Sequence, residues 1–267
     1  MEFLVNIITP VGSLYGLEDT LTSVKKVQSN LNKVSLNHIL VLNNSISLSK
    51  IREYEVNDPN NYSLIDINPA ASRSTARNVG LQSICEIKNN SFVIFLDVGD
   101  ELLYDAIHCL ISHGENKKTK NAFFVCNSFV RFNQNSKLVR VPLYPINLRY
   151  IVNPFMIGGI ILQSNLAKKV KFYEGKKEDW VYWNSILDLE PEILYLKNFN
   201  YIYNINNISE HYIKKIASIF QLRNVLTKQF NWGYLSSFPI SGVHFIFIFF
   251  RWNYLRLVKI FSSEKYD

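Results

Sequence analysis

The chain has 267 residues, 48% hydrophobic and 19% charged, a balance that excludes disordered, collagenous and coiled-coil architectures. That length suits one large domain, or one domain with a smaller appendage. Lys and Arg outnumber Asp and Glu by 29 to 22, and the resulting +7 charge points to an anionic partner: nucleic acid, a phosphorylated small molecule or an acidic membrane surface.

Residues 3–8 (FLVNII) form a short β-rich run closed by Thr9-Pro10. Gly12, Ser13 and Gly16 mark a loop, and Leu17, Leu21, Val24 and Val27 follow at helical spacing. Residues 38–42 predict a second strand and 62–67 a third. Residues 72–85 predict a helix with Ser72 or Ser74 as N-cap. The strongest β run of the first half, 91–96 (SFVIFL), ends on Asp97-Val98-Gly99-Asp100, and a helix is expected from Leu102 to Leu110. Strands and helices alternating at this pace imply a mostly parallel sheet covered on both faces. Such sheets bind ligands beyond the carboxyl ends of their strands. The residues to inspect are therefore those from Thr9 and Pro10 to Gly12, from Asn43 to Ser45, and from Asp97 to Asp100.

Residues 122–132 and 137–141 then suggest an antiparallel pair, 158–162 a strand, 178–189 an amphipathic helix, and 193–196 and 201–205 two short closing strands. Composition shifts near residue 208. Residues 212–226 read as a helix with a basic face, 229–250 carry no formal charge, and 251–261 (RWNYLRLVKIF) alternate apolar and basic residues like an interfacial helix. The uncharged stretch is interrupted by Asn231, Gly233, Pro239 and Gly242, too polar for a membrane span. We expect domain boundaries at 1–207 and 208–267, the second a helical, aromatic and basic extension docking on the inner leaflet.

Cys85, Cys109 and Cys126 lack metal-type spacing, and their odd number fits a reducing compartment. The five histidines form no zinc motif. Without a basic leader before Pro10, a signal peptide is not expected and the chain is read as cytoplasmic. Taken singly, Asp97 and Asp100 suit a turn and a helix N-cap, Glu178 and Asp179 the positive end of a helix, and Arg77 a solvated helix face.

Together these segments resemble the GT-A type, family 2 glycosyltransferases, inverting bacterial enzymes that build capsule, O-antigen and related polysaccharides. VNIITPVGSLYGLEDTLTSV is similar to the opening strand, loop and helix of that family, SRSTARNVGL to its arginine-asparagine helix, FVIFLDVGDEL to its DxD-type strand end, and NPFMIGGIIL with EDWVYW to its acceptor side. The resemblance covers residues 3–187 in family order. It implies an α/β fold: a GT-A, Rossmann-like mixed β-sheet flanked by helices, with a C-terminal helical extension. It implies a nucleotide diphosphate sugar as donor, a UDP-sugar first, a divalent metal (Mn2+ or Mg2+) on Asp97 and Asp100, and a polyprenyl-diphosphate-linked glycan as acceptor. Asp179 would be the general base with Glu178 beside it. Thr9, Pro10, Asn43, Arg73, Arg77 and Asp97 would hold the nucleotide.

Two departures stand out. Asn43-Asn44-Ser45 replaces the usual Asp-Asp-Gly-Ser, so the base-reading position carries an amide without charge. Asp97-Val98-Gly99-Asp100 replaces Asp-x-Asp-Asp: either Asp97 and Asp100 share the ion, with Gly99 letting the backbone approach the pyrophosphate, or metal dependence is weakened. The processive Gln-x-x-Arg-Trp signature is absent after Gln221, so single-residue addition is expected. A nucleotidyltransferase would need a Lys-bearing Gly-rich loop after the first strand, and here no Lys or Arg precedes Lys25. A non-catalytic, membrane-docked relative is the alternative from another class. Nucleic acid is the least favoured partner, for want of a basic, aromatic-lined stripe.

Overall fold

The computed structural model describes residues 3–31, 34–43, 51, 62–67, 71–85, 90–116, 121–132, 138–141, 146–150, 153–175 and 177–205. Strand β1 (Phe3–Val11) is buried except at Leu4, because it lies between two parallel partners. It runs three residues past the expected stop, through Pro10. Ile8 O accepts from Leu96 N and Val11 O from Asn43 N, so Pro10, in phase with Ile8, faces the side of β4 (Ser91–Phe95). Pairing with β4 ends at Ile8, and the missing proline N–H costs no ladder bond.

Helix α1 (Leu17–Ser29) starts from Gly16 at φ +82 and carries Glu18 and Asp19 in its first turn, where the helix dipole favours acids. Strand β2 (Val34–Leu42) pairs with β1, and β3 (Tyr62–Asp66) with β2, both parallel. Helix α2 (Arg73–Ser83) is capped by Ser72, whose Oγ accepts from Thr75 N at 3.0 Å. It presses close to the sheet at Gly80, where a Cβ would lie 2.5 Å from Ile8 Cγ2. The expected helix after Asp100 begins later, as α3 (Tyr104–Asn116), because Glu101–Leu102 first form a short strand, β5.

The chain then turns antiparallel. Strand β6 (Ala122–Phe132) pairs with β7 (Leu138–Arg140) and with β8 (Ile160–Gln163), and β8 with β4. After the short α4 (Ser164–Ala167) comes α5 (Glu178–Leu187), then β9 (Glu192–Ile205), a single strand where two were expected, which pairs with β5. The sheet order is β3-β2-β1-β4-β8-β6-β9-β5, with β7 beside β6. The order in which parallel strands are added reverses at β1, since β2 and β3 lie on one side and β4 on the other.

Helix α5 departs from the amphipathic expectation. Trp180, Val181, Tyr182, Trp183, Asn184, Ile186 and Leu187 are all buried. Phe95 and Phe123 of the sheet pack against Trp183, and Phe95 also meets Tyr182 and Phe172 edge to edge. Burying each such side chain contributes about 1.5–3 kcal/mol, and here the burial fixes where the helix N-terminus falls. The chain divides into two compact units, and Met1–Ser128 with Met156–Tyr203 form the one that carries every candidate site residue. The other includes Phe129–Phe155, with the β6–β7 pairing from Phe129 to Arg131. The extension read at 208–267 and its boundary lie outside the described residues. No helix among the described residues is long and apolar enough to cross a membrane.

Candidate active site

The switch point of the parallel block is the carboxyl end of β4 beside β1. There the chain leaves the sheet in a turn, with Asp100 N donating to Asp97 O at 3.1 Å and Gly99 at φ +91. A β-carbon is unfavourable at that φ, which accounts for glycine where the resemblance anticipates an acid. The turn is pinned by α1: Thr20 Oγ1 accepts from Gly99 N and donates to Asp100 O, each at 2.9 Å. Gly16 packs on the same turn, its missing Cβ position 2.7 Å from Gly99 Cα.

Arg77 connects this turn to α5. Its Nη2 donates to Asp97 Oδ1 at 2.7 Å and its Nη1 to Glu178 Oε1 at 3.0 Å. The side chain is 1% exposed, and its guanidinium lies 5.2 Å from the centroid of Phe172, which stacks in turn on Tyr182. Arg73, one helical turn earlier, donates from Nη1 to Asp97 Oδ2 at 3.3 Å with 58% of its side chain exposed. Two guanidiniums thus face one carboxylate. Burial alone would raise the Asp97 carboxyl, but Arg77 and Arg73 outweigh it and hold the group below its ordinary range.

Glu178 responds the other way: burial and the neighbouring Asp179 raise its carboxyl, against the pull of Arg77. Asp97 above all keeps the Arg73 guanidinium charged. Lys177, immediately before Glu178, has φ +64, a left-handed conformation unusual for a residue with a side chain. Burial lowers its ammonium while Asp179 and Glu178 oppose that shift. A second clasp joins α2 to the segment before α5, where Ser72 Oγ and Thr75 Oγ1 both donate to Glu174, the latter at 2.5 Å. Tyr203 of β9 stands in the same electrostatic field: burial, then Asp100 and Asp97, push its phenol well up.

The sequence-predicted residues separate into three groups. Asp97, Arg73, Arg77, Glu178 and Asp179 converge at the carboxyl end of β4. Asn43 sits at the end of β2, its Nδ2 donating to Ala71 O at 3.2 Å while Oδ1, buried beside Gly12, has no hydrogen-bond partner among the described residues. Thr9 and Pro10 are both buried within β1, and Thr9 Oγ1 pairs with His38 Nε2 at 2.9 Å inside the sheet. Burial holds the His38 ring neutral by lowering it to about 3. Asn44 and Ser45 lie outside the described residues. Lys177, Glu174 and Tyr203 were missed. For Tyr203 the signal was present, since alternation along a strand puts it on the face of Tyr201.

Asp97 and Asp100 were expected to hold a divalent metal. Asp97 already accepts guanidinium donors on both oxygens. Asp100 is 3% exposed and accepts from Tyr201 Oη. No group of three or more His, Cys, Asp and Glu suited to a metal occurs among the described residues. Even Mg2+, which needs only one or two carboxylates beside substrate phosphates, requires an oxygen that faces the ligand. The residues present do not fit a divalent cation.

No protein-family model and no curated protein matches the sequence. Solved structures do. S. aureus TarS 1-349 in complex with UDP-GlcNAc is similar at TM-score 0.57 and 13% identity, over 90% of this chain and 70% of that one. The mannosyltransferase PcManGT from Pyrobaculum calidifontis, in complex with GDP-Man and Mn2+, is similar at TM-score 0.60 and 12% identity, over 91% and 69%. The likeness is one of architecture: this chain has the GT-A-like fold of these glycosyltransferases, a mixed β-sheet flanked by helices.

Proposed function

We propose that the chain is a glycosyltransferase that moves one sugar, with inversion, from a nucleotide diphosphate sugar to a hydroxyl of a surface glycan. One observation carries the reading: Arg77 draws the acid-ended turn of β4 and the Glu178–Asp179 helix start together at the switch point of a GT-A-like sheet. The related folds bind UDP-GlcNAc and GDP-Man, which supports a nucleotide-sugar donor.

In this reading the acceptor oxygen attacks the anomeric carbon while Asp179 takes its proton, and the bond from that carbon to the β-phosphate oxygen breaks. The nucleoside diphosphate leaves with the bonding pair. Charge spreads over the sugar ring and the departing phosphates, so fixed groups that favour both lower the barrier. Glu178, braced by Arg77, fixes the helix turn on which Asp179 is carried.

Asn43 supplies base selection. Its amide orientation is set because Ala71 O can only accept, so Nδ2 must face it and Oδ1 is left as a buried acceptor beside Gly12. A base with a ring N–H on its pairing edge, uracil or guanine, suits that oxygen at the ring position, where cytosine and adenine present a ring-nitrogen acceptor and donate only through the exocyclic amino group. The lipid-linked acceptor and the inner-leaflet location rest on the aromatic and basic composition of 208–267.

The test is release of nucleoside diphosphate from a panel of UDP- and GDP-sugars, with lipid-linked glycan acceptors. Asp179→Asn should lose about 10²–10⁴-fold in kcat, the ordinary contribution of a general base. Equal rates for wild type and variant would remove the catalytic assignment.

A further inference from the structure

A diphosphate leaving group brings two or more negative charges into the site, and Asp97 and Asp100, the carboxylates expected to hold a cation for it, are engaged by Arg77, Arg73 and Tyr201. We propose, resting on the glycosyltransferase reading, that Arg73 and Lys177 neutralise the departing diphosphate in place of a divalent metal.

Three observations converge. First, Asp97 is engaged on both oxygens, by Arg77 at 2.7 Å and Arg73 at 3.3 Å, and Asp100 is turned inward to Tyr201, where it ties β5 and β9 together. A dication at this turn would stand beside two guanidiniums. Second, the turn offers backbone where the resemblance anticipates an acid: a Cβ placed on Gly99 meets nothing within 4 Å, so a phosphate can approach the main chain closely. Third, Arg73 stands beside that opening, and Lys177 adjoins Glu178, which Arg77 ties to the same turn. Arg73 bonds Asp97 through Nη1 and is 58% exposed, so the rest of its five-donor fork is accessible to phosphate oxygens. Lys177 holds the last residue before α5 at φ +64, where Gly or Asn would be less strained. Its ammonium lies in the field of Glu178 and Asp179, the helix start that Arg77 draws to the β4 turn.

The experiment uses the whole chain, dialysed against EDTA, with UDP-sugar and GDP-sugar donors. Turnover should stay within about threefold of the untreated protein, and added Mn2+ or Mg2+ should not raise it further. A greater loss that Mn2+ restores overturns the proposal. Lys177→Gly removes the ammonium and relieves the backbone, so its melting temperature should equal or exceed wild type while kcat falls by about 10²-fold, the usual cost of one charge-stabilising donor. Arg73→Met should lose a similar factor, and Mn2+ should rescue neither. Undiminished kcat in Lys177→Gly, or rescue by Mn2+, overturns the assignment. Should no donor turn over, the glycosyltransferase reading fails, and calorimetric binding of UDP and GDP decides the charge proposal alone. Binding that is indifferent to EDTA and weakened in both variants supports it; cation-dependent binding, or none, refutes it.

Discussion

Arg77→Met tests whether the cluster is held by one buried cation. Methionine nearly keeps the volume of the stem but leaves Asp97 and Glu178 without their shared partner. Breaking a buried ion pair from one side costs about 3–5 kcal/mol. Arg77 is 1% exposed, but its partners are 22% and 15% exposed and recover some hydration, which places the loss near the lower end, about 3 kcal/mol. The contact with Phe172 at 5.2 Å adds about 1 kcal/mol. Denaturation in urea, followed by fluorescence of the buried Trp180 and Trp183 next to the cluster, reads the change directly. Adding Glu178→Gln to Arg77→Met should recover about 1–3 kcal/mol relative to the sum of the single variants, because the second substitution removes a stranded carboxylate.

The pH dependence has a defined sign. Asp97 is held below its ordinary value, so its contribution is present above the unfolded carboxylate value and is lost as pH falls through the folded one. Glu178 is raised, so its ionisation costs stability as pH rises, and Arg77 opposes that cost. Both effects make the gap between wild type and Arg77→Met largest near neutrality and smaller in acid. A loss below about 1 kcal/mol at neutral pH, the worth of an exposed pair, or strict additivity with Glu178→Gln, refutes the bridge.

Further outcomes follow from the same geometry. Asn43→Leu removes the buried acceptor and should raise the donor KM by about tenfold, one neutral hydrogen bond, with kcat unchanged; a proportional fall in kcat would show that the residue acts at the reacting centre instead. His38, neutral in the fold down to about 3 against an ordinary 6.5, should cost about 1.4 kcal/mol of stability per pH unit of acidification within that window. Ring NMR that shows His38 protonating near its ordinary value would contradict its burial. Gly158→Ala places a Cβ 2.2 Å from Tyr201 Cδ2 and should destabilise by about 1–3 kcal/mol through overpacking. A Gly158→Ala protein as stable as wild type would mean that Tyr201 is not fixed against this backbone.

The parallel half of the fold was legible because its strands are continuous apolar runs and its helices carry period-3.6 faces. Its boundaries were less so, for local reasons. Pro10 reads as a stop in any strand, and only the early end of β4 makes it harmless inside β1. Glu192–Ile205 reads as two strands because Lys197, Asn198 and Asn200 break the apolar pattern, yet Asn200 Nδ2 finds Gly158 O at 2.6 Å and the ladder continues. Helix α5 reads as amphipathic from its leading Glu178 and Asp179, but past that first turn its remaining faces meet Phe95, Phe123 and Phe172 from three distant segments.

The site shows the same limit at the level of single residues. Arg77 belongs to the buried stripe of Ser74, Ala76, Gly80 and Leu81, a place where helical periodicity expects an apolar side chain. Within the helix that mismatch has two readings, a solvated edge or a buried charge with distant partners. The partners lie 20 and 101 residues away, at Asp97 and Glu178, so no local pattern distinguishes the two. What resolves them is charge: an isolated buried guanidinium is too costly to keep, and two carboxylates brought to 2.7 and 3.0 Å are what make the position tenable. The same closure that satisfies Arg77 engages Asp97, and it leaves Arg73, 58% exposed, as the guanidinium at this turn that is open to solvent.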